Sequence, residues 1–207
     1  MLSQKYNQTL VKSKCVKIDN FLSLAENKKI IESVIKLEAY FQKITTSLDL
    51  NNSDFRKSKV LYLAPISQAR ISNRIKLVLP QVLAKFGYQE FPIAQIEAQV
   101  TAHNHGHYYQ THNDNGTPDV AKIEITYVYY FYQQPQQFSG GELVLYDKKI
   151  DNNYLKEANS FKKIAVQNNS IIFFLSRYWH EVLLVNCPSK SFADGRFTIN
   201  AWIRRTD

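Results

Sequence analysis

Residues Gln99–Asp114 read "QVTAHNHGHYYQTHND" and hold four of the five histidines of the 207-residue chain. The first five residues alternate toward β-branched and small side chains, which suits a strand, and Gly106 then breaks the run. His112 and Asp114 are separated by one residue. In extended backbone that spacing directs both side chains to one face, where two different ligand types can share a cation. The fifth histidine, His180, lies far downstream in "FFLSRYWHEVLLV", so the fold has to deliver any site that uses it.

Working outward, the chain divides by periodicity. From Ile96 onward the segments "IEAQVTA", "IEITYVYYFY", "GELVLYD", "SIIFFLS", "HEVLLV" and "RFTINAWI" are rich in β-branched and aromatic residues and are bounded by Gly, Asn, Asp or Pro. Together they predict a strand-rich body of about jelly-roll size. Before it, Ile30, Val34, Leu37, Phe41 and Ile44 recur at steps of three and four, and Ser23 with Glu26 forms a capping box, so the spacing predicts an amphipathic helix. "SQARISNRIKLVLPQVLAKFG" predicts a second helix, interrupted or opened by Pro80 and ended by Gly87. The expectation is one domain over 1–207, with mainly helical support in 1–95 and the strand core in 96–207.

Composition narrows the class. Hydrophobic residues make up 44% and charged residues 21%, ordinary for a globular chain. No signal-peptide core and no membrane-length apolar run is present, which leads to a cytoplasmic expectation. Cys15 and Cys187 form no C-x-x-C pair, which argues against a disulfide framework or a thiolate zinc site. The net charge of +8 is spread along the chain; a solvated basic surface is favoured over attraction of an anionic substrate or nucleic acid.

Two imidazoles and a carboxylate on one face of a metal leave the opposite positions open, the facial arrangement of non-haem iron(II) oxygenases. His-x-Asp alone is weak evidence for it. The surrounding motifs are specific. "QVTAHNHGHYYQTHND", then "TYVYYFY", "FSGGELVLYD", "NNSIIFFLSRYWHEV" and "GRFTINAW" resemble, in order, the motifs of the iron(II)/2-oxoglutarate-dependent dioxygenases, nearest the prolyl 4-hydroxylase-like branch.

The resemblance implies an α+β chain whose core is a double-stranded β-helix, jelly-roll or cupin-like, with supporting N-terminal helices. It implies Fe(II) held by His112, Asp114 and His180. Arg196 would grip the distal carboxylate of 2-oxoglutarate with the help of Tyr130, while Tyr109, Trp202 and Asn200 would line or support the cosubstrate pocket. His103 falls where many relatives carry Tyr and is read as a polar pocket residue. His105 and His107 flank Gly106 in a turn and are read as loop histidines, not ligands. Dioxygen would be the second cosubstrate and ascorbate an accessory reductant.

The implied reaction is hydroxylation of an unactivated C–H, with a prolyl or other amino-acid side chain in a peptide, protein or carrier-bound intermediate as the favoured substrate. A free metabolite stays open, as do nucleic-acid demethylation, which lacks the aromatic-basic pattern of strand binders, and a non-catalytic jelly-roll sensing module. The segments "DLNNSDFRKSKVLY" and "YDKKIDNNYLKEANSFKK" are expected as lids at the mouth of the site.

Overall fold

In the computed structural model, which describes residues 9–46, 55–62, 65–151 and 154–206, the chain opens with two short strands, β1 (Thr9–Val11) and β2 (Cys15–Ile18). They add to opposite margins of one large antiparallel sheet. Helix α1 (Leu24–Lys36) follows, with the capping box of Ser23 and Glu26 formed. It buries Asn27, Ile30, Ile31 and Val34, and Asn27 Nδ2 donates to the Tyr129 hydroxyl at 2.8 Å, which ties the helix to the sheet.

The helix is shorter than its apolar spacing predicts. At Leu37 the chain tightens into a 3-10 turn (Glu38–Tyr40), and "QKITT", with three β-branched residues, becomes strand β3 (Gln42–Thr46). Phe41 is still buried, but from the junction and not from a helical face. β3 pairs with β4 (Arg56–Leu61), so the first 95 residues contribute four strands as well as helices. Helix α2 (Pro65–Phe86) carries Pro80 inside it and buries Ile71, Ile75, Leu79, Val82 and Leu83.

The remaining strands are β5 (Ile93–His103), β6 (Tyr108–His112), β7 (Ile123–Phe131), β8 (Ser139–Gly140), β9 (Leu143–Asp151), β10 (Tyr154–Ile164), β11 (Ser170–Leu175), β12 (His180–Val182), β13 (Val185–Asn186) and β14 (Arg196–Arg205). Their order is β1-β9-β12-β6-β4-β5-β14-β7-β11-β2, with β10 beside β9, β3 beside β4, and β8–β13 a separate pair. With the two helices outside, this is the expected double-stranded β-helix. Of the two expected lids, the described residues of "YDKKIDNNYLKEANSFKK", 146–151 and 154–163, lie in the paired strands β9 and β10. Its lysines and asparagines read as loop, yet charged residues are what an edge strand carries. In "DLNNSDFRKSKVLY", residues 49–54 lie outside the described residues and the rest is largely β4.

Alternation sorts the central strands into two faces. Tyr127, Tyr129, Phe131, Phe197, Ile199, Ala201 and Ile203 pack in the main core with the apolar faces of the helices. The intervening residues Thr126, Val128, Thr198, Asn200 and Trp202 line an interior slot. Register keeps them adjacent: Arg196 opposes His103, Thr198 opposes Thr101 and Tyr130, and Asn200 opposes Gln99 and Val128.

Candidate active site

His112 ends β6 and His180 begins β12, and the two are direct partners across the antiparallel pair. Asp114 follows in the bend after β6. One ligand atom from each of the three lies within 4.8 Å of the others, the one such cluster among the described residues. His112 Nε2 is 3.8 Å from Asp114 Oδ1, and His180 Nε2 is 3.5 Å from Asp114 Oδ2.

The backbone sets which nitrogen faces inward. His112 Nδ1 is 2.7 Å from the Gln110 carbonyl and His180 Nδ1 is 2.9 Å from the Tyr178 carbonyl. A carbonyl oxygen only accepts, so each Nδ1 carries the proton and each Nε2 presents its lone pair to the cluster. Burial, and then the neighbouring His180, hold the His112 pKa well below the ordinary imidazole value, which favours the neutral form that binds metal. Asp114 is oriented from behind. Thr126 Oγ1 donates to its Oδ2 at 2.6 Å, Thr126 lies 2.9 Å from Ser176 Oγ, and the Asp114 amide donates to the Ser176 carbonyl at 3.0 Å.

The other end of the slot is built for negative charge. Arg196 is 1% exposed, its guanidinium carbon 4.9 Å from the Tyr130 ring centre and its Nη1 3.2 Å from His103 Nδ1. Since the guanidinium can only donate, His103 accepts at Nδ1 and keeps its proton on Nε2. Burial, then the Arg196 cation, press the His103 pKa well below its usual range, in keeping with a neutral ring. Arg196 Nε and His103 Nε2 are buried without a hydrogen-bond partner among the described residues, and the Tyr130 hydroxyl, buried beside them, bears on Arg196 without a well-formed hydrogen bond. Two neutral donors thus stand beside one buried cation, with no carboxylate in ion-pair range among those residues and Glu142 acting on it only from farther away. Desolvating a guanidinium this way costs several kcal/mol unless an anion compensates it, so these residues fit a carboxylate ligand.

Tyr109 stacks on His112, with centroids 3.6 Å apart, and also contacts the Arg56 guanidinium, 4.6 Å from its ring centre. Trp202 and Asn200 line the slot, and Asn200 Nδ2 donates to Thr101 Oγ1 at 2.9 Å. His105 and His107 lie apart from the triad, in an outer cleft. Sequence reasoning missed Arg56, Thr126 and Ser176. Arg56 is 8% exposed, lines the slot, and is braced by donation from its Nε to Ser58 Oγ at 2.9 Å. Its signal was period-two alternation hidden in a basic cluster: Arg56, Ser58 and Val60 turn inward, while Lys57 and Lys59 turn outward.

The profile of the 2OG-Fe(II) oxygenase superfamily matches residues 98–204, which include every slot residue named above except Arg56. An uncharacterized PKHD-type hydroxylase of Synechocystis is 49% identical over 191 residues, 91% of this chain, and the chain spans 62% of that relative's length. Two solved structures share the fold. A Pseudomonas putida prolyl-4-hydroxylase has a TM-score of 0.65 and 17% identity, with 94% of each chain covered. A Trichoplax adhaerens prolyl hydroxylase, in complex with a peptide fragment of the hypoxia inducible factor oxygen degradation domain, has a TM-score of 0.65 and 20% identity, covering 92% of this chain and 83% of that one. No helix among the described residues is long and apolar enough to cross a membrane.

Proposed function

The chain belongs to the 2OG-Fe(II) oxygenase superfamily, and on that premise we propose that it hydroxylates an unactivated C–H of a prolyl or other amino-acid side chain in a peptide or protein. The family's cofactors, iron(II) and 2-oxoglutarate, supply the oxidising chemistry when bound, with dioxygen as the oxygen source. The work of the polypeptide is ligation, orientation and exclusion of water. His112 and His180 offer Nε2 lone pairs and Asp114 a carboxylate, in the two-histidine, one-carboxylate set that suits iron(II). Thr126 fixes the carboxylate by donating to the oxygen that faces His180.

Arg196 holds the distal carboxylate of the cosubstrate, and the Tyr130 hydroxyl and His103 Nε2–H add neutral donors to it. Val128, Leu143 and Trp202 wall the slot and limit water. Arg56 and Tyr109, beside His112, orient the substrate, where a guanidinium suits a peptide carbonyl or carboxylate. The peptide held by the Trichoplax enzyme supports a peptidyl substrate for this chain.

The observation that carries this reading is the juxtaposition, in one slot, of a three-ligand cluster with a buried arginine flanked by two neutral donors, Tyr130 and His103. Anaerobic titration with iron(II) and 2-oxoglutarate tests it, followed by mass spectrometry of proline-containing peptides, free amino acids and methylated oligonucleotides. The expected result is one iron per chain, 2-oxoglutarate consumption, and a gain of one oxygen on a peptide. His112→Ala and His180→Ala should lose iron and turnover, while His105→Ala keeps both. Arg196→Ala should raise the 2-oxoglutarate dissociation constant about ten- to a hundred-fold, the size of a lost charge-assisted contact. Iron retained by His112→Ala, or unchanged cosubstrate affinity in Arg196→Ala, would overturn the assignment.

A further inference from the structure

Behind the cosubstrate end of the slot lies a second cavity of about 360 Å³, lined among others by Lys59, His107, Lys190, Phe192 and Glu38. Among the described residues, His103 alone lines both this cleft and the slot. The cleft is not used by the chemistry above, and three observations in it or beside it point to an anion; Lys43 and Lys57 neighbour the lining residue Lys59 without lining the cleft themselves.

Lys43 and Lys59 are direct cross-strand partners on β3 and β4. Like charges in that position destabilise a sheet, and Lys57 lies two residues along on the same face. Glu38 answers Lys59 only weakly, at 3.7 Å and half-exposed. Lys190 has φ of 56°, a left-handed conformation in which a side chain other than Asn or Asp is costly and which marks functional positions. The His107 imidazole bonds to the Ala102 backbone, while its buried Nδ1 has no partner among the described residues. Lys43, Lys57 and Lys59 all bear electrostatically on that ring. A single oxyanion with two or more charges would answer all three: it would offset the charge of Lys59 and its neighbours, give the Lys190 ammonium a counter-charge, and favour protonation of His107, which burial and then the nearby lysines disfavour.

We propose that this cleft is a second anion site, for a multivalent carboxylate or phosphate group, coupled to the cosubstrate pocket through His103. The coupling rests on the cosubstrate reading above; the site itself does not. Occupancy adds negative potential on the outer side of His103, whose inner side accepts from Arg196 at 3.2 Å, so the anion and 2-oxoglutarate should alter each other's affinity by the same factor.

The test uses the full chain without iron, at constant ionic strength, titrated calorimetrically with inorganic phosphate and, separately, with tricarballylate. The His107 ring nitrogens are followed by long-range 1H–15N correlation. Saturable binding is expected with at least one probe, shifting His107 and weakened about ten-fold or more by Lys59→Gln with Lys190→Asn, a pair of lost charged contacts. The Asn tolerates the left-handed backbone, and Lys85→Gln on α2 controls for bulk charge. Response to tricarballylate alone assigns a carboxylate ligand, and to phosphate alone a phosphorylated one. Weakening in Lys85→Gln equal to that in the cleft variant, or no shift at His107, means an adventitious ion only and overturns the site. The 2-oxoglutarate dissociation constant, measured with the cleft filled and empty, should differ several-fold; equality overturns the coupling. Failure of 2-oxoglutarate to bind the iron(II)-loaded chain, with oxygen excluded and no added anion, would instead refute the cosubstrate reading and leave the cleft result standing.

Discussion

At the scale of single residues, the site depends on positioning groups as well as on those that would touch metal or cosubstrate. Thr126 donates to Asp114 at 2.6 Å and is fully buried. Thr126→Val keeps the shape and removes that donor, so metal affinity should fall by about ten-fold, the low end of what lost ligand-orienting bonds cost; metal competition titration measures it. Gly141 sits at φ of 72°, and a Cβ there would fall 2.6 Å from Arg196 Cδ and 2.8 Å from Val185 Cγ2. Gly141→Ala should therefore cost about 1–3 kcal/mol of stability and also weaken 2-oxoglutarate binding, because the clash lands on the stem of Arg196, the arginine proposed to grip it. Denaturant melts and anaerobic titration separate the two effects. His103 presents a buried Nε2–H beside Arg196, and a tyrosine hydroxyl at that position would likewise be a neutral donor. His103→Tyr should leave iron stoichiometry intact and change the coupling of 2-oxoglutarate decay to product; loss of iron would count against its placement.

At the scale of elements, the edge of the sheet is pinned by one buried carboxylate. Asp147 on β9 is 3% exposed; it accepts from the Ser13 amide at 2.8 Å and Ser160 Oγ at 2.6 Å, and pairs with Lys12 at 3.0 Å. Burial alone would raise its pKa, but Ser160, Ser13 and Lys12 more than offset that and hold it below the usual carboxylate value. A carboxyl depressed on folding contributes stability above its unfolded pKa and loses it as pH falls through the folded one. Asp147→Asn should thus cost about 1.5–3 kcal/mol at neutral pH, and its gap to the parent should close as pH drops below about 4; melts across pH 2–7 would show it. Of the β1–β9–β10 edge, the apolar start of β9 in "GELVLYD" was legible, whereas the rest of β9 and β10 is rich in lysine, asparagine and acidic residues, and pairing, not periodicity, makes it strand. Central strands β5, β7, β11 and β14 were legible because burial imposed β-branched and aromatic runs. The ligand triad was legible from motif order, whereas Arg56 was hidden because a buried arginine and a solvated one look alike in "FRKSK".

At the scale of the whole molecule, the net charge of +8 acts mainly on encounter. Exposed charge is screened within about 10 Å at 0.1 M salt, so if the substrate is acidic, rising salt should lower kcat/KM on it more than it lowers uncoupled 2-oxoglutarate turnover. Equal responses would leave the charge as a solvated surface. The pairing of His112 with His180 has a further consequence. β12 is only three residues long, is joined to β6 by an irregular register, and is the link between β9 and the rest of the sheet. A cation held by both histidines therefore works as a cross-link that closes a long loop, and its binding energy is added to the native state alone. The metal-free protein should open first along this junction, so amide hydrogens of β6 and β12 should exchange with solvent well ahead of those in β7 and β14, and a bound divalent metal should slow them while leaving the central strands unchanged.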